Sequence, residues 1–250
     1  TKIQFKPDKK IFESLIPDID RLRKRLAVAS VELKDATLVL NVDDNKEIFR
    51  LDSIGYFNQE CLNDSDTETT KLIDIFVEDS IESMEVKFCY SLNGTIAPRI
   101  LSSVNLLPVD SGGTHVNMFL DILKELFTTK AKKAGLKFQP YDALCGLRSY
   151  ITLKLTKPEF SGQTKDKLIN RKEYLSKLTS KFKSAIEEYF SENPEELEIL
   201  LNQFAEYRRR LDSKKLKASG NGKRASTKFT KLRDCTSANG ELFITEGDSA

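Results

Sequence analysis

Gln163, Thr164 and Lys165 follow a Ser161-Gly162 turn at the end of an alternating stretch. The lysine is a mobile point charge of the kind that meets a phosphate. Taken alone, a hydrophilic loop with a solvated lysine is the simpler reading, because loops are polar by default. A second candidate is Glu246, which opens the run Glu246-Gly247-Asp248-Ser249-Ala250 just after the strand-like Glu241 to Thr245. A carboxylate at the carboxyl end of a strand, beside a glycine turn, lies where α/β folds place ligands. It can hold Mg²⁺ or act as an acid or base. The same residues are also ordinary turn chemistry. A third chemistry is carried by Arg208 to Arg233, a basic run opposed only by Asp212 and interrupted by Ser219-Gly220-Asn221-Gly222. Contact with nucleic-acid phosphates and a solvated charged tether both stay open for it.

These residues must be positioned by the elements around them. Tyr150 to Thr156 alternates as a half-buried strand, with Ile151, Leu153 and Leu155 on one face, and Pro158 stops the ladder. Upstream, Lys2 to Phe5 reads as a short strand and Phe12 to Ala29 as a helix with Leu15, Ile19, Leu22 and Leu26 inward. Thr37 to Val42 and Glu47 to Leu51 form a hairpin around Asp43-Asp44-Asn45. Asn63 to Thr70 is a polar loop, and Ile73 to Val77, Met84 to Tyr90 and Ile100 to Val104 are strands. Gly112-Gly113 then precedes a helix that Thr114 can cap, with Val116, Phe119, Leu120, Leu123 and Phe127 buried and Gly135 as its stop. After Leu168 the pattern turns helical. Leu175, Leu178, Phe182, Ile186 and Tyr189 make one stripe, and Leu197, Leu200, Phe204, Tyr207 and Leu211 another. Asn193 and Pro194 start the second helix.

Composition narrows the function classes without choosing one. The chain has 250 residues, enough for a large core. Its 40 basic and 38 acidic residues nearly cancel, so only local runs can indicate a partner. Cys61, Cys89, Cys145 and Cys235 are scattered and there is one histidine, His115, so a Cys/His zinc site is not expected. His115, without a visible partner, reads as structural. Scattered thiols fit a reducing cytosol. No apolar run reaches the about 18 residues of a membrane span, and no signal peptide is expected. The chain begins inside a strand and stops where a helix should start, so it reads as a fragment of a longer polypeptide.

Three runs taken in order are more specific than any one of them. Asp110-Ser111-Gly112-Gly113-Thr114-His115, Phe160-Ser161-Gly162-Gln163-Thr164-Lys165 and Glu246 to Ala250 together resemble the second subunit of type IIA DNA topoisomerases, the gyrase B and topoisomerase IV B type. Lys2 to Asp8 resembles the start of that family's transducer domain. Asp142 to Leu147 resembles the segment leading into its Q-T-K strand. Residues 29–103 are less recognisable and suggest a phage or divergent member.

The resemblance implies an α+β fold. Residues 1–175 would be a mixed-sheet transducer, 176–237 long helices and a basic linker, and 238–250 the first strand of an α/β Toprim domain. It implies ATP and Mg²⁺ as cofactors, with Lys165 and Gln163 reaching the γ-phosphate. Glu246 would be a catalytic Mg²⁺ ligand whose site needs a downstream D-x-D pair. The implied partners are double-stranded DNA, a gyrase A-like subunit carrying the nucleophilic tyrosine, and a second copy of the full-length subunit. The implied setting is the cytoplasm of a bacterial cell or phage-infected host, with no membrane contact. Two other readings stand beside it: an ATPase-coupled DNA-repair or chaperone-like relative, and a non-enzymatic nucleic-acid-binding scaffold.

Overall fold

The computed structural model describes residues 1–33, 35–93 and 97–218. Thr1–Arg208 forms one compact unit. A second unit starts at Arg209, and its described part is the remainder of a long helix.

The element that organises the first unit is a five-stranded sheet in the order β3-β4-β7-β5-β6. β3 is Ile73–Asp79, β4 Glu82–Tyr90, β5 Arg99–Val104, β6 Leu107–Pro108 and β7 Leu147–Lys154. β7 pairs antiparallel with β4 and parallel with β5, so the sheet is mixed. The parallel pair is possible because the intervening chain crosses over through α3, Thr114–Lys133. One face of the sheet presents Ile73, Ile75, Val86, Phe88 and Tyr90 to α3, to α4 (Ser176–Glu192) and to the first turns of α5 (Pro194–Ala218). Phe127 is the hub there, with Tyr90, Phe190 and Phe204 at 6.0, 5.3 and 5.3 Å in edge-to-face contact. Such pairs contribute about 0.5–1.5 kcal/mol each beyond the area they bury.

The other face is covered by α1 (Ile19–Glu32) and α2 (Ser53–Glu60). Ala27, Val28, Val31, Tyr56 and Phe57 close over Cys89 and Tyr150. β7 is therefore buried on both faces. The half-buried strand expected from Ile151, Leu153 and Leu155 is instead a central one, and Tyr150 lies under Tyr56 at 4.7 Å. A separate hairpin, β1 (Leu38–Val42) with β2 (Asn45–Phe49), turns at Asp43, whose φ is 52°.

Four expectations fail for identifiable reasons. Lys2 to Phe5 is not a strand; no described strand lies beside it, and Ile3 and Phe5 are 84% and 85% exposed. The first helix starts at Ile19 and not at Phe12. Pro17 disfavours helix at the residue before it, and Asp18 caps by accepting the Arg21 N–H at 3.0 Å. Its buried face is Ala27, Val28 and Val31, because only its last turns reach the sheet. Thr114 is the first helical residue and not the cap, a position held by Gly113. Asn193 does stand just before Pro194, the first residue of α5, but its side chain does not cap that helix and turns back to donate to the Tyr189 carbonyl of α4 at 2.9 Å. α2 has no counterpart in the sequence reading. The stripes after Leu168 do bury Leu178, Phe182, Ile186, Leu200 and Phe204, all against the sheet core.

His115 is in that core, 1% exposed, and neither ring nitrogen has a hydrogen-bond partner among the described residues. Burial pushes its pKa down to about 4. The unfolded chain, with an ordinary histidine near 6.5, binds the proton more readily. Stability should therefore be fully present above about pH 6.5 and fall by up to about 3 kcal/mol as the pH drops toward 4. Urea midpoints at pH 7 and pH 5 should differ by that slope in the native sequence. His115→Met should flatten it; an unchanged slope in the variant would place the titrating group elsewhere.

Cys61, Cys89 and Cys145 are buried free thiols, pushed up by burial to about 12, 12 and 11. They are not nucleophiles at neutral pH. Among the described residues no helix is long and apolar enough to cross a membrane.

Candidate functional site: a clamped loop with a charged tip

Beyond β7 the chain makes a narrow excursion and returns. Ile169 donates to the Glu159 carbonyl at 2.8 Å and Ser161 to the Lys167 carbonyl at 3.0 Å. Phe160 and Leu168 form an antiparallel bridge. Asn170, 3% exposed, fixes the base from inside. Its Oδ1 accepts the Glu159 N–H at 2.8 Å and its Nδ2 donates to the Lys157 carbonyl at 2.9 Å. The tip is a turn in which Lys165 N–H donates to the Gly162 carbonyl at 3.2 Å. Lys165 sits at a φ of 59°, a left-handed conformation uncommon for a lysine.

The returning strand of this loop lies against the glycine pair. Leu168 donates to the Gly112 carbonyl at 3.0 Å, Thr114 donates to the Leu168 carbonyl at 3.1 Å, and Ser111 donates to the Asp166 carbonyl at 2.9 Å. Gly113 has a φ of 138°, and a Cβ there would stand 2.2 Å from the Leu168 carbonyl oxygen. Two runs that the sequence presents about 50 residues apart are thus one piece of structure. The glycine pair is the seat of the loop, and glycine is required because two backbones approach with no room for a side chain. α1 adds charge to the same seat: Lys24 pairs with Asp110, and Arg21 lies 3.9 Å from Asp166. These pairs are solvent-exposed and contribute little to stability.

Gln163, Thr164 and Lys165 are all exposed at the tip, and Lys165 makes no ion pair with a described residue. The chemistry available is an amide and an ammonium carried on a fixed base, suited to an anion. Glu246, the third residue singled out from the sequence, lies outside the described residues. Among those described, no cluster of three acidic, histidine or cysteine side chains could hold a metal. Of the basic run, Arg208 is committed within the first unit, where it grips Asp142 with both arms of its guanidinium at 2.7 and 2.8 Å. No side chain from Lys214 to Arg233 is described.

Two buried ion pairs escape the sequence reading. One is this Arg208–Asp142 pair. The other is Arg148 with Asp66, at 2.7 and 2.8 Å, both side chains wholly enclosed. Burial alone would raise the Asp66 pKa. The hydrogen bonds from Arg148, from Ser91 and from the Asn63 backbone outweigh it and hold the carboxyl at about 2. Arg148 in a strand buried on both faces is what marks this pair, since a central strand admits a charge only with a partner.

Comparison with known proteins places this arrangement. The 43K ATPase domain of Thermus thermophilus gyrase B, in complex with an aminocoumarin, matches with a TM-score of 0.64 over 85% of this chain and 59% of that one, at 23% identity. The topoisomerase IV ATP-binding domain of Francisella tularensis matches at 0.62 over 82% and 57%, at 22% identity. The α+β fold with its mixed sheet is therefore one shared with the ATPase regions of type II topoisomerases. A family profile described as DNA gyrase B matches residues 53–219, and the chain belongs to the DNA gyrase B family. The DNA gyrase B protein of Clostridium acetobutylicum is 30% identical over 271 residues, covering all of this chain and 41% of that protein. The B-type protein of DNA topoisomerase 4 from Francisella tularensis is 29% identical over 269 residues, again covering all of the chain and 42% of the relative. The chain thus spans about two fifths of the length of these relatives.

Proposed function

We propose that this chain is the coupling segment of an ATP-dependent type II DNA topoisomerase. In this reading residues 1–175 are the transducer, 176–237 the helices and basic linker, and 238–250 the start of Toprim. Lys165, with Gln163 beside it, contacts the γ-phosphate of an ATP held by another part of the protein. The observation that carries this is the exposed, unpaired ammonium at the tip of a loop whose base is fixed. In this reading the nucleotide is held by another part of the protein, and the donor set at the tip, an amide and an ammonium, fits a phosphate. Loss of that contact on hydrolysis would release the tip, an order–disorder switch. The complete protein would act in the cytoplasm on double-stranded DNA, as a homodimer joined to a gyrase A-like protein. Glu246 would serve there as a Mg²⁺ ligand together with carboxylates from beyond this chain.

The test is Lys165→Ala in the full-length protein. A charge-assisted hydrogen bond contributes about 1.5–3 kcal/mol, so ATP turnover should fall roughly 10- to 100-fold. Thermal stability should be unchanged, because the Lys165 side chain is exposed at the tip. Wild-type turnover in the variant would remove the lysine from the mechanism.

A further inference from the structure

The strand that carries the loop has a second end, and that end is fastened to α5. Just before β7, residues Pro140–Leu144 form one 3-10 turn that presents Asp142, 3% exposed. Its carboxylate accepts the Gln139 N–H at 2.6 Å and both arms of Arg208. The Tyr90 hydroxyl donates to the Ala143 carbonyl at 2.9 Å, which locks the turn to β4. Gly146 follows at a φ of 77°, so close to β4 that an added Cβ would be 2.5 Å from the Ser91 carbonyl oxygen. Gln203 of α5 donates to that same Ser91 oxygen at 2.9 Å. One helix therefore makes two polar ties beside the start of β7, Arg208 to the turn before it and Gln203 to the Ser91 carbonyl just after β4, with the buried Phe204 between them. α5 continues to Ala218.

We infer that Asp142 and Arg208 are a positioning pair that couples the turn at the start of β7 to α5. The proposal rests on the reading of Lys165 as a nucleotide contact at the other end of the strand. Three geometrical facts support it. The pair is bidentate and nearly enclosed, so the fork holds direction as well as distance. The turn bearing Asp142 is bonded to β4 through the Tyr90 hydroxyl and leads directly into β7. Arg208 is the last residue of the first unit, and it ties α5 to the turn that precedes β7. An ordinary packing contact at this point would fix distance and leave the helix free to roll.

The test uses the full-length protein assembled with its gyrase A-like partner, and three variants: Arg208→Gln, Arg208→Lys and Asp142→Asn. The last retains one oxygen for the Gln139 N–H and puts an NH2, which cannot accept from Arg208, in place of the other, so it loses the charge and one arm of the fork. The measurements are kcat and KM for ATP, the number of strand passages per ATP hydrolysed, and amide exchange along α5. Arg208→Gln and Asp142→Asn should leave kcat and KM within about 2-fold and lower passages per ATP at least 10-fold, with faster exchange near position 208. Arg208→Lys, which keeps the charge and loses the fork, should fall between. Should Arg208→Gln fail to fold, the lysine and asparagine variants give the same comparison. Unchanged passages per ATP, or ATP turnover lost in step with thermal stability, would overturn the tie. If Lys165→Ala abolishes turnover while these variants stay coupled, the tie falls and the Lys165 reading stands. If Lys165→Ala is silent and the variants uncouple, the reverse holds.

Discussion

Gly113→Ala is expected to cost the folded unit roughly 4 kcal/mol and to dislodge the loop that carries Lys165. Two effects add. The backbone lies at φ 138°, ψ −159°, a region that essentially only glycine occupies, with a penalty of about 1–3 kcal/mol for other residues. The new Cβ would also stand 2.2 Å from one Leu168 atom and 2.7 Å from another, both backbone, so no side chain can swing aside. Overpacking of that kind costs about 1–3 kcal/mol more. Chemical denaturation measures the total, and amide exchange at Leu168 and Thr114 reports the broken bridge. Gly162→Ala is the comparison: nothing lies within 4 Å of its Cβ, and its φ is not positive. It should change stability by less than about 1 kcal/mol. If the two alanines cost the same, the close approach is not what holds the loop.

Asp66→Ala should cost about 3–5 kcal/mol, because it removes the carboxylate paired with the enclosed Arg148 charge. The enclosed guanidinium also donates to the Ala97 and Leu147 carbonyls, which orient it but do not neutralise it. The double variant Asp66→Ala, Arg148→Met should recover much of the loss, since a hydrophobic replacement of a buried pair is often neutral. A double-mutant cycle in denaturant decides the matter. A double variant no more stable than Asp66→Ala would mean that Arg148 contributes through its packed stem and not through the charge.

How far the sequence could be read follows from where each signal comes from. β3 and β4 are legible because alternation is local and one face of each is apolar. α3, α4 and α5 were legible from their three- and four-residue stripes. α2 was missed although Asp52 caps it by accepting the Gly55 N–H at 2.6 Å, because eight residues give too little periodicity to stand out. The Lys2 to Phe5 strand failed because alternation shows only that a strand could form, while a strand also needs a neighbour. At the site, Gln163, Thr164 and Lys165 were legible as an exposed tip. The reason for the glycine pair was not, because it depends on Leu168 returning from 55 residues away. The pairs Asp66–Arg148 and Asp142–Arg208 were hidden for the same reason, since each joins residues more than 60 positions apart. Alternation in β7 showed one face correctly and missed the other, where Tyr150 meets α2.

The fixed base of the loop has a thermodynamic consequence. Ordering a residue costs about 1–2 kcal/mol of backbone entropy. Had the whole excursion from Glu159 to Leu168 to be organised around a phosphate, that loss would be of order 10–20 kcal/mol, more than a handful of hydrogen bonds can offset. Asn170, the Phe160–Leu168 bridge and the glycine pair have already taken up most of this loss during folding. Only the turn from Gly162 to Lys165 has freedom left to lose. On the proposed reading, a single ammonium would therefore suffice to hold a phosphate with modest affinity and let it go again.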